Sequence, residues 1–168
     1  MSFSIGQRSA DHLHHDGFTY MTVLVLVIVT GIALIGVSRY WRTVIQRDLE
    51  TELLFRGNQI RKGIESYYNA GTDDYNRYPS GLADLLKDPR FPGIKRHLRK
   101  LYADPFSKDG KWGMVFGRNG RLIGVYSTSN GKPMKTGNFS LENETFQNKE
   151  KYSDWKFIYY PPSTILKK

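Results

Sequence analysis

The sequence predicts an α+β fold in which one long N-terminal helix, its first half transmembrane, packs on a small antiparallel β-sheet. Three observations carry that prediction. Residues 18–37 contain no charged side chain. A stripe of apolar residues at helical spacing then continues to Tyr68. After Asp109-Gly110 the pattern changes to short apolar and aromatic runs bounded by turn residues.

Twenty helical residues span about 30 Å, the hydrocarbon thickness of a bilayer. Val23, Val25, Val27, Ile28 and Val29 would also suit a strand, but the run is several times longer than an ordinary strand. A cleavable secretory signal is excluded by the order of features. The prefix is polar with Arg8 its single basic residue, the apolar run is too long, and residues 38–42 offer no small-residue cleavage site. Gly31, Ala33 and Gly36 are small positions that permit close approach of neighbouring helices.

The stripe Trp41, Ile45, Leu49, Leu53, Ile60, Ile64 and Tyr68 extends the helix, bordered by charged residues that include Glu50, Arg56 and Arg61. Gly57 and Gly63 weaken it by about 1 kcal/mol each relative to alanine. A helix over residues 18–69 would be about 78 Å long and could not bury its own stripe, so a packed domain must cover its second half. Gly71, Asp73-Asp74 and Tyr78-Pro79 end it. "YPSGLADLLKDP" predicts a turn and a short helix with Ser80 as N-cap and Leu82, Leu85 and Leu86 as its apolar face. Lys95, Arg96, His97, Arg99 and Lys100 follow, able to contact phosphate or acidic lipid but read more simply as a solvated connection. His97 is expected to be a surface histidine, since no partner stands at ligand spacing. Strands are expected at residues 112–117, 122–126 and 155–160, with Asn119-Gly120 turning the first hairpin and Met114, Phe116, Val125 and Phe157 in the core.

The chain of 168 residues suits one domain with a long appendage and carries no cysteine, so no disulfide holds it. Its net charge is +9; loss of Arg8, Asp11 and Asp16 with residues 1–17 would make that +10. Such an excess suits anionic lipid or an acidic partner as well as nucleic acid, which is not expected here. No nucleophile elbow, phosphate loop or HExxH pattern is present, so no catalytic residue is assigned and an enzyme is not expected.

Gly17-Phe18-Thr19, directly before a full-length apolar run, resembles the processing site of the type IV pilin and type II secretion pseudopilin superfamily. The later landmarks Tyr78-Pro79, Asp104-Pro105 and Asp154-Trp155 are most similar to the major pseudopilin. The resemblance implies a pilin-like fold. It makes residues 1–17 a prepilin leader, cut after Gly17 by a prepilin peptidase, with Phe18 then N-methylated. Residues 18–37 would be the transmembrane and assembly half of the helix, 38–70 its amphipathic continuation, and 71–168 a periplasmic globular region. Implied partners are the peptidase, like or related pseudopilin subunits, an inner-membrane assembly platform and membrane lipid. The implied function is a structural subunit of a type II secretion filament in protein transport, anchored by a single pass in the inner membrane. Phe18, Thr22, Gly31, Ala33 and Gly36 would carry assembly. Thr22 stands where the family places a glutamate, which removes both the cost of a carboxylate in lipid and its attraction to a neighbouring terminus. Arg39, Arg42 and Arg47 after the run argue for the opposite orientation, and the processing motif is preferred to them. A type IV pilus subunit for adhesion, motility or DNA uptake, or a plain single-span anchored binding protein, remain alternatives. No cofactor is expected. The calcium that major pseudopilins hold finds a poor match in residues 127–154, where Asp154 is the nearest carboxylate to a ligand.

Overall fold

The computed structural model describes residues 16–71 and 77–162, with side chains described throughout these segments except in residues 16–18 and 34–39. The chain divides into two units, residues 1–43 and 44–168. Helix α1, Asp16–Ala70, has residues in both. The element order after α1 is a short helix α2 (Leu82–Leu86), strands β1 (Trp112–Phe116) and β2 (Leu122–Ser127), 3-10 helices at Leu141–Phe146 and Tyr152–Asp154, and strand β3 (Lys156–Ile158).

In the first unit, α1 presents apolar side chains to solvent. The membrane expectation is corrected: among the described residues, no helix is long and apolar enough to cross a membrane. The pilin-like fold with a transmembrane first half and the single-pass inner-membrane location both fall with it. The leader up to residue 15 and the Asp73-Asp74 stop lie outside the described residues.

In the second unit the sheet is antiparallel, in the order β1-β2-β3. Met114 faces Val125 across β1 and β2, and Val125 faces Phe157 across β2 and β3. Asn119-Gly120 turns the hairpin as expected, with Gly120 at φ +70°, the left-handed region glycine tolerates best. Leu53, Ile60 and Ile64 of the helical stripe join Leu85, Trp112, Leu122, Val125 and Phe157 in one core. Trp41 and Ile45 are exposed instead.

Two further expectations are corrected. Met114 and Phe116 are 44 % and 52 % exposed, whereas Trp112 at the start of the same strand is buried, edge-on to Phe157 and donating from Nε1 to Tyr102 O at 2.8 Å. Ser80 does not cap α2. Its own N–H donates to Asp84 Oδ2 at 2.7 Å, and Gly81 holds the N-cap position. The polar stretch after β2 is packed: Phe146 and Trp155 stack at 5.6 Å and both are buried with Tyr152.

Candidate functional site

Two features of the second unit concentrate what chemistry the described residues have. The first is the turn from Lys87 to Lys100. It begins where α2 stops and is fixed by backbone bonds before any side chain acts. Asp88 N–H donates to Lys95 O at 3.0 Å, and His97 and Leu98 N–H both donate to Leu85 O at 2.9 Å. The Asp88 carboxylate, fully buried, then organises the interior of the turn. Arg90 donates to it from Nε (2.9 Å), Nη2 (2.7 Å) and its backbone N–H (3.0 Å). Burial alone would raise the Asp88 pKa, but the hydrogen bonds from Arg90 and His97 and the Arg90 charge outweigh it and hold the carboxyl at about 2.

His97 Nε2 stands 3.0 Å from Asp88 Oδ2 and Nδ1 2.9 Å from Ser66 Oγ. With the proton on Nε2, the ring donates to the carboxylate and accepts from the Ser66 hydroxyl. A serine, a histidine and an aspartate in line invite comparison with acyl-transfer chemistry. Ser66 belongs to the C-terminal end of α1, where helix carbonyls would oppose a developing oxyanion. Asp88 is also engaged by Arg90. The line therefore fits a fastening of the turn to α1, completed by Arg90 Nη2 donating to Tyr67 O at 2.8 Å.

His97 is thus not the surface histidine that the sequence suggests: its side chain is 2 % exposed. Its partner lies nine residues earlier, a spacing with no metal or helical signature. Outside this braced interior the turn projects Lys87, Lys95, Arg96, Arg99 and Lys100 into solvent.

The second feature is Glu50, buried on α1. It accepts from the Tyr152 hydroxyl (2.7 Å) and from the N–H groups of Met134 and Lys135. Gln46 Nε2 donates to the same Tyr152 oxygen (2.9 Å) and to Lys132 O (3.0 Å). Burial pushes the Tyr152 hydroxyl pKa upward, with the adjacent Glu50 reinforcing it against the bond from Gln46. Sequence reasoning missed Glu50 and Asp88 alike. Their only local signals were a carboxylate bordering an apolar stripe and an Asp-Pro pair.

The residues singled out on α1 are not drawn together. Gly17 and Phe18 lie in the helix with side chains outside those described, and the Gly36 position is likewise without side-chain description. Thr22, Gly31 and Ala33 are exposed, and a Cβ at Gly31 would meet nothing within 4 Å. Among the described residues no three His, Cys, Asp or Glu side chains group as metal ligands. Asp154 is exposed, and Glu142, on the cleft that both line, is paired with Arg61 at 2.8 Å. These residues do not fit a calcium cage of six to eight oxygens.

No family model matches the chain, and neither a curated protein nor a solved structure matches it. With the membrane span absent among the described residues, this overturns the likeness to the pilin and pseudopilin superfamily. The secretion-filament, pilus and anchored-protein readings are withdrawn with it. What stands is an α+β protein with an antiparallel three-stranded sheet.

Proposed function

We propose that the protein is a non-enzymatic structural protein that associates with further copies of itself through the first part of α1. One observation carries this reading. Val27, Ile28 and Val29 are consecutive and are 62 %, 52 % and 57 % exposed. Successive helical residues point about 100° apart, so three in a row reach most of the circumference. A helix apolar on all sides is stable in water only when covered.

Residues 19–33 contain no charge with which to select a distinct partner. A second copy presents the same uncharged surface, and burying each Val, Leu or Ile contributes about 1.5–3 kcal/mol. Since no single side is the apolar one, one neighbour cannot cover the helix, and the association extends beyond a dimer. Gly31, open to close approach, gives a neighbouring backbone a place to enter.

Sedimentation of the full chain, with and without Val25→Asp and Ile28→Asp, tests the proposal. The expected result is a species larger than a dimer for the parent chain and a loss of about a hundredfold or more in association for the double variant. A monomeric parent chain, or a variant that assembles as the parent does, overturns it.

A further inference from the structure

We infer that the turn from Lys87 to Lys100 is a docking surface for an anionic lipid bilayer, which it meets from outside with Ile94 as an apolar tip among exposed cations. Charge is the first observation. Lys87, Lys95, Arg96, Arg99 and Lys100 are exposed, and among the described residues none of them enters an ion pair. The one acid within the turn, Asp88, is buried and held by Arg90 and His97, so it neutralises nothing at the surface. A cluster of this kind attracts anionic headgroups within about a Debye length.

Shape is the second. Ile94 is 75 % exposed and follows exposed Pro92 and Gly93. A protruding aliphatic side chain needs a complementary pocket on a protein partner, whereas the headgroup and acyl boundary of a bilayer accepts it without one. The braced interior means that the tip is presented in one conformation before contact, which reduces the ordering cost of binding.

Nucleic acid shares the charge requirement and is disfavoured by the aromatic rings. A single-strand site offers open ring faces for stacking. Here Arg90 lies 3.6 Å from the Tyr67 ring centre, Lys95 3.9 Å from that of Phe91, and Lys100 5.4 Å from that of Tyr102. The protein's own cations already occupy those faces, and Ile94 cannot stack.

The chain has no cysteine, so Gly93→Cys in the full-length protein takes a single environment-sensitive dye beside the tip, at a position where an added Cβ meets nothing within 4 Å. Vesicles of phosphatidylcholine alone and of phosphatidylcholine with phosphatidylglycerol are then titrated. A dye at residue 93 reports the surroundings of the turn itself. The expected result is a blue shift on the anionic vesicles and none on the neutral ones. Converting Lys95, Arg96, Arg99 and Lys100 together to Gln weakens the response by about a hundredfold or more, and Ile94→Ser weakens it by about tenfold. No shift on anionic vesicles, an equal shift on neutral ones, or an undiminished shift in the four-Gln variant overturns the inference. A shift of the same size with free glycerol phosphate, or a larger one with a single-stranded oligonucleotide, also overturns it.

Discussion

Gly57 receives opposite instructions from the helix it belongs to and from the sheet it faces. Helix propensity favours alanine there by about 1 kcal/mol. Packing forbids it, because a Cβ would sit 2.5 Å from the Phe157 ring. Phe157 has no exposed surface and is edge-on to Trp112 and Phe146, so it has nowhere to retreat. Overpacking of this kind costs about 1–3 kcal/mol. Gly57→Ala is therefore expected to destabilise the protein in urea unfolding, and a gain in stability would show that β3 moves freely away from α1. Asp88 supplies the second prediction at this scale. Its folded pKa, about 2, lies below the ordinary 3.8, so its contribution is present above pH 4 and is lost as pH falls towards 2. The linkage is on the order of 2 kcal/mol. Asp88→Asn removes this part of the acid response while lowering stability at neutral pH, which acid titrations of the two proteins compare directly. An unchanged acid response in the variant would mean that another carboxyl governs it.

At the scale of elements, what was legible in the sequence was local. The Asn119-Gly120 turn, the three strands and the Leu82, Leu85 and Leu86 face each depend on residues within a few positions, and the structure contains all of them. Alternation identified the inner face of β1 but not how far its cover extends, so Met114 and Phe116 were misplaced. Glu50 was illegible for another reason. It borders the stripe as a solvent-facing glutamate would, and its partners Met134, Lys135 and Tyr152 lie 84, 85 and 102 residues away. The candidate docking turn was half legible. Its cations are plain in the sequence, whereas the Asp88 and His97 brace depends on a fold around α2 that no periodicity encodes. Glu50 fastens the segment after β2 to α1, and its removal leaves buried donors unpaired at about 1–3 kcal/mol or more. Glu50→Ala is expected to lower the unfolding midpoint and to raise hydrogen exchange at the Met134 and Lys135 amides before the hairpin amides. Equal exchange throughout would deny the clamp a local role.

For the whole molecule, the two proposed surfaces should answer salt with opposite signs. Every copy carries +9, so copies repel one another at low ionic strength. Salt screens that repulsion, with a Debye length of about 30 Å at 0.01 M and about 8 Å at 0.15 M. It leaves the burial of an uncharged helix surface intact, and an excluded salt such as sulfate strengthens it. Self-association through α1 is therefore expected to tighten as salt rises. Contact of the Lys87 to Lys100 turn with an anionic vesicle is an attraction between opposite charges and should weaken over the same range. A single sulfate titration, reading sedimentation without vesicles and the residue 93 dye with them, measures both in the full-length chain. Association that loosened with salt would mean that copies meet through charged surfaces and would remove α1 from the account. Vesicle binding indifferent to salt would assign the contact to apolar insertion alone and remove the cations. Because each outcome strikes one surface without touching the other, the titration separates two ideas that a bare binding constant would merge.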